Sequence, residues 1–158
     1  MKATLLMLTL AMLASCSPSA PAYKEPLAGT PQASIALPTF PYTRTLKDGT
    51  ADSRTMDFEV ESINGTRIAK AFGTKESYAI PAGDVAVVLK VMPLKTMLGS
   101  PLNGIGYFKF KAVAGDSYHP VIEKTGQAGG PEATWIENQK GVKVSEVVNV
   151  VFTVERSQ

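Results

Sequence analysis

Met56-Asp57-Phe58-Glu59-Val60-Glu61 alternates apolar and acidic side chains without a break. On an extended chain successive side chains leave on opposite faces, so this stretch puts Met56, Phe58 and Val60 toward a core and three carboxylates toward water. A helix would scatter the same residues around its circumference, and the period of two therefore predicts a half-buried strand. Asn64-Gly65 follows at once. That pair is the strongest signal for a two-residue hairpin turn, because both positions tolerate the positive φ that such a turn needs. A return strand is expected over residues 66–69.

The same grammar extends in both directions. Pro81-Ala82-Gly83-Asp84 reads as a turn into Val85-Ala86-Val87-Val88-Leu89-Lys90-Val91, a nearly continuous apolar run that predicts a central strand covered on both faces. Residues 107–113 alternate Phe108, Phe110 and Ala112 with Tyr107, Lys109 and Lys111. Ala114-Gly115-Asp116 turns the chain into a strand over 118–123, a loop is expected over 126–131, and a further strand over 133–137. Lys140-Gly141 precedes Val142 to Val144, and the β-branched tail over 147–154 reads as a last strand, although a short helix starting at Ser145-Glu146 fits the same letters. About seven to nine short strands and no sustained helical period predict an all-β fold, a compact antiparallel β-sandwich of immunoglobulin-like or transthyretin-like architecture. A small barrel has the same pattern.

The first residues obey different rules. Met1-Lys2 leads an apolar run to about Leu13, and Leu13-Ala14-Ser15-Cys16 ends it on the chain's one cysteine. This run is too short to cross a hydrocarbon core, which takes roughly 20 residues. It reads as an export signal. Leu13-Ala14-Ser15-Cys16 resembles the lipobox of bacterial lipoproteins, and the resemblance implies cleavage after residue 15 and lipid on Cys16. Ser17 after the cysteine, where that family uses Asp for inner-membrane retention, implies the periplasmic face of an outer membrane. With one cysteine no intramolecular disulfide can form.

Pro18, Pro21, Pro26, Pro31, Pro38 and Pro41 then punctuate a segment poor in bulky apolar residues. Proline withholds a backbone donor and fixes φ, so residues 16–42 are expected to form a lipidated, disordered tether and residues 43–158 the sandwich, with Phe40 and Tyr42 at its border. Fully extended, such a tether would reach about 80 Å.

A second resemblance is carried by Ile63-Asn64-Gly65, by Ile80-Pro81-Ala82-Gly83, by Phe108-Lys109-Phe110 running on to Ala114-Gly115, with Tyr118 beyond, and by Trp135-Ile136-Glu137-Asn138. Together they are similar to small bacterial envelope lipoproteins with a compact β-sandwich and no assigned activity. Asn64, Asp84 and Asn138 stand where those proteins have acidic or histidine residues, so the resemblance implies a fold and no chemistry at these positions.

Composition narrows function further. Cleavage after residue 15 removes Lys2 and no acid, leaving a near-neutral chain with no basic stripe, and no nucleic-acid partner is expected. His119 is the one histidine, Cys16 is committed to lipid, and the serine-elbow, zinc and phosphate-loop motifs are all missing. The expectation is a protein that is not an enzyme and carries no cofactor. Asp57, Glu59 and Glu61 project from one strand face and could share a hard cation such as calcium, but a solvated acidic face, paired with Lys109 and Lys111 across strands, accounts for them and no metal site is expected. Asn64-Gly65-Thr66 also fits a glycosylation sequon, though a turn explains it. Two roles remain. One is a lipid-anchored, non-catalytic module that docks an envelope protein. The other is a binder of a small ligand, glycan or peptidoglycan fragment at an aromatic patch, for which Tyr107 and Trp135 are the candidates, Trp135 reading first as a core plug.

Overall fold

The structure is a computed structural model that describes residues 21–45, 48–69, 75–93, 102–123 and 131–154. The signal run expected over 1–15, Cys16 and most of the loop expected over 126–131 lie outside the described residues. The chain is all-β, and two packed sheets make it a sandwich. Among the described residues eleven strands follow in order: β1 Gln32–Ala36, β2 Phe40–Thr45, β3 Ala51–Ile63, β4 Thr66–Arg67, β5 Ser77–Pro81, β6 Gly83–Pro93, β7 Leu102–Ala112, β8 Ser117–Glu123, β9 Glu132–Asn138, β10 Val148–Val150 and β11 Thr153–Val154. The first sheet runs β10-β9-β8-β1-β5 and the second β11-β7-β6-β3-β2, with β4 beside β3.

Alternation builds the core as expected. Met56, Phe58 and Val60 from β3, Val85, Val87, Leu89 and Val91 from β6, and Phe108, Phe110 and Ala112 from β7 are buried between the sheets. Opposite them lie Ile35, Ile80, Tyr118 and Ile136, and the rings of Phe110 and Tyr118 meet with centroids 4.9 Å apart. Asn64 and Gly65 hold φ of 49° and 77°, the paired positive values of the hairpin turn joining β3 to β4. β6 is central, but only one of its faces is buried; Ala86, Val88 and Lys90 look outward and are half-buried, which corrects the expectation of cover on both faces.

β3 departs from strict alternation at Glu61. Val60 pairs with Leu89 and Ser62 with Val88, so Glu61 is the extra residue of a β-bulge. Without it Ile63 would face solvent, because it follows Val60 by three; the bulge returns Ile63 to the core, where it is fully buried.

The expected tether boundary at residue 43 is corrected. β1 lies inside the first sheet, antiparallel to β5 and parallel to β8, and buries Ala33 and Ile35, with Leu37 buried just beyond it. Prolines bound this strand rather than interrupt it, and Pro41 lies on the edge strand β2, where a missing donor costs nothing. Pro120, within β8, is accommodated for a related reason. Its partner Ile136 turns its own N–H and C=O toward Ser145 and Val144, so Pro120's nitrogen points to the other side, beyond the last β1 pair at Ile35–Tyr118.

Both open sides of the sandwich are laced. On one side the Tyr23 N–H donates to the Arg67 carbonyl of β4, while its O–H donates to the Ala79 carbonyl of β5. Glu25 accepts the Ala79 N–H and holds Lys75, and the lysine draws the Glu25 carboxyl below its ordinary pKa. Residues 21–25 thus cap an edge strand that would otherwise be open. On the other side the tail, expected as one strand or a helix, divides into β10 in the first sheet and β11 in the second. Val150 seats against Gly104 and Gly106, where a Cβ would collide with Val150 or the Phe108 ring.

Candidate functional site

Among the described strand residues, β7 presents the two most exposed large apolar side chains. Ile105 is 64% exposed and Tyr107 50%, and both stand on the outer face of the second sheet beside Lys109 and Lys111. Across β6 the register sets Val88 opposite Tyr107 and Lys90 opposite Ile105, so the apolar pair continues onto a half-buried valine. Lys109 reaches back over the Tyr107 ring, 5.3 Å from its centroid. Next to it Asn64, Asp84, Ala86, Lys109 and Lys111 line a shallow, open depression of about 540 Å³.

Trp135 lies elsewhere. It projects from β9 on the outer face of the first sheet and is 9% exposed, because the Lys143 ammonium sits 3.9 Å from its ring centroid and the Glu137 carboxylate accepts its indole N–H at 2.7 Å. His119, its register partner Glu137 and Val121 share this face, with His119 Nε2 4.0 Å from Glu137. Tyr107 and Trp135 therefore stand on opposite outer faces of the sandwich. They form no common cleft, and the aromatic patch expected from them is corrected to a single exposed tyrosine beside an isoleucine. Nor is Trp135 a central core plug; it is buried under its own strand's return.

The acidic face is also rearranged. The bulge removes Glu61 from the alternation of Asp57 and Glu59, and no group of three or more metal-ligating side chains is gathered among the described residues. β6 separates β3 from β7, so Lys90 faces Glu59 and Asp84 faces Lys111; the expected pairing of Lys109 and Lys111 with the β3 acids does not occur. Asp57 is only 8% exposed, and burial pushes its carboxyl above the ordinary range, with Glu59 adding to the rise and the Phe58 N–H opposing it.

Comparison of the chain with protein-family models, with curated proteins and with solved structures finds no match.

Sequence reasoning singled out Tyr107 and missed Ile105. The signal was present, since residues 105, 107, 109 and 111 share one parity, opposite to that of Phe108 and Phe110. What hid it was Gly104 and Gly106, which break the apolar alternation by contributing no side chain to the inner face.

Proposed function

We propose that this chain is a lipid-anchored envelope protein that acts without catalysis, docking a second envelope protein on the outer face of its second sheet. The carrying observation is Ile105 beside Tyr107, exposed on the outer face of β7 and continued by Val88. Contiguous apolar exposure of this kind marks an interaction surface, since leaving it in water gains nothing for the fold. The histidine, tryptophan and Glu137 are engaged with one another on the opposite face, which supports a structural role for the groups best suited to chemistry.

The anchor reading rests on Leu13-Ala14-Ser15-Cys16 and places lipid on Cys16, with the domain at the periplasmic face of the outer membrane. Because Tyr23 is already bonded to the sandwich, only residues 17–22 separate it from Cys16. That chain reaches at most about 25 Å, far less than the tether expected from the prolines. The partner that fits is membrane-proximal.

The test compares wild type with an Ile105→Ser/Tyr107→Ser variant after chemical cross-linking of membranes, separated on native gels. Wild type should run in a larger assembly, and the variant as the free protein with unchanged fatty-acid label and thermal stability. Identical mobility of the two would contradict the docking face.

A further inference from the structure

β7 is an edge strand over most of its length. β11 pairs with it at Leu102 and Asn103 only, and beyond Asn103 no strand among the described residues bonds to its far side. Which backbone groups face that open side follows from hydrogen bonds on the other side of β6. The Ala86 N–H donates to Asn64 Oδ1 and the Ala86 carbonyl accepts the Asn64 N–H. Ala86 therefore turns both groups away from β7, which makes Ala86–Lys109 a non-hydrogen-bonded pair and points Lys109's own N–H and C=O outward. By the period of two, Ile105, Tyr107 and Lys111 do the same. The residues with the exposed side chains are the residues with the outward backbone groups.

We propose that this edge takes up an extended segment of the partner as an added antiparallel strand, its residues acidic opposite Lys111 and Lys109 and apolar opposite Tyr107 and Ile105. The inference rests on the docking reading and names the partner's chemistry. Backbone pairing supplies affinity in such strand addition, and alternate side chains supply the choice of partner. Lysines on an edge normally discourage pairing, and here they guard only half of it. An acidic segment converts that guard into a selector, whereas a second copy of β7 would bring lysines and no acid.

The probe is the peptide acetyl-Glu-Thr-Glu-Thr-Val-Thr-Val-amide, added to the full mature lipoprotein in detergent micelles, against the same peptide with Lys for both Glu. The acidic peptide should slow amide exchange at residues 105, 107, 109 and 111 and leave the outer sites of β9 unchanged. Lys109→Glu/Lys111→Glu should weaken the acidic peptide and strengthen the basic one, each on the order of 10-fold at low salt, from two cross-strand pairs reversed in sign. No binding at millimolar peptide, protection elsewhere, equal affinity of the two peptides for both proteins, or self-association through β7 would overturn uptake of an acidic partner strand. Should the peptide fail while the cross-linked assembly still depends on Ile105 and Tyr107, strand addition falls and the docking face stands; should no assembly form, both fall.

Discussion

Gly104→Ala tests how the C-terminal tail closes the sandwich. A Cβ at residue 104 would overlap Val150 Cγ1 and stand 3.3 Å from the Phe152 ring. Val150 is fully buried, so it has little room to withdraw. Forcing a methyl into a packed contact of this kind costs about 1–3 kcal/mol, a fall in Tm of roughly 5–10 °C for a domain of this size. Val150→Ala alone should cost about 2 kcal/mol through lost burial and the space left behind. In the double variant the shortened side chain vacates the volume that the new methyl needs. The two changes should therefore fall short of additivity by about 1–2 kcal/mol, measured by urea unfolding of all four proteins. Additivity to within about 0.5 kcal/mol would refute the close crossing of β10 over β7.

Asp57→Asn should raise Tm at pH 7, because a carboxyl whose pKa is raised in the folded state gives stability below its unfolded pKa and loses it as pH rises through the folded one; the gain should vanish at pH 3 by thermal scans. Glu25 has the opposite sign, its pKa being lowered, so Glu25→Gln should weaken the fold at neutral pH and converge with wild type below the ordinary carboxylate range. Gly65→Ala should cost about 1 kcal/mol because its φ of 77° is left-handed, while Ile105→Ser should stay within about 0.5 kcal/mol, as the solvent position requires, both read by denaturant midpoint. Cys16→Ser should abolish labelling by a fatty-acid probe; equal labelling would refute attachment there.

Sheet two was legible because its strands obey local rules: Met56-Asp57-Phe58 alternates, Asn64-Gly65 turns, and Phe108-Lys109-Phe110 shows which face goes inward. β1 was hidden for a physical reason. Gln32-Ala33-Ser34-Ile35-Ala36 buries two small or medium side chains between flanking prolines, and its place is fixed by β5 and β8, far away in sequence. The Glu61 bulge was likewise invisible locally, since an acid extends the alternation whether or not it pairs. The separation of Tyr107 from Trp135 depends on which sheet each strand joins, and strand parity carries no information about that.

The most direct test of a docking face on the second sheet is photo-cross-linking in cells, with a photoreactive residue placed singly at 105, 107, 121 or 123. Positions 105 and 107 should give the same cross-linked envelope protein, and 121 and 123, on the outer face of the first sheet, should give none. Cross-links confined to 121 and 123, or equal at all four positions, would contradict the account.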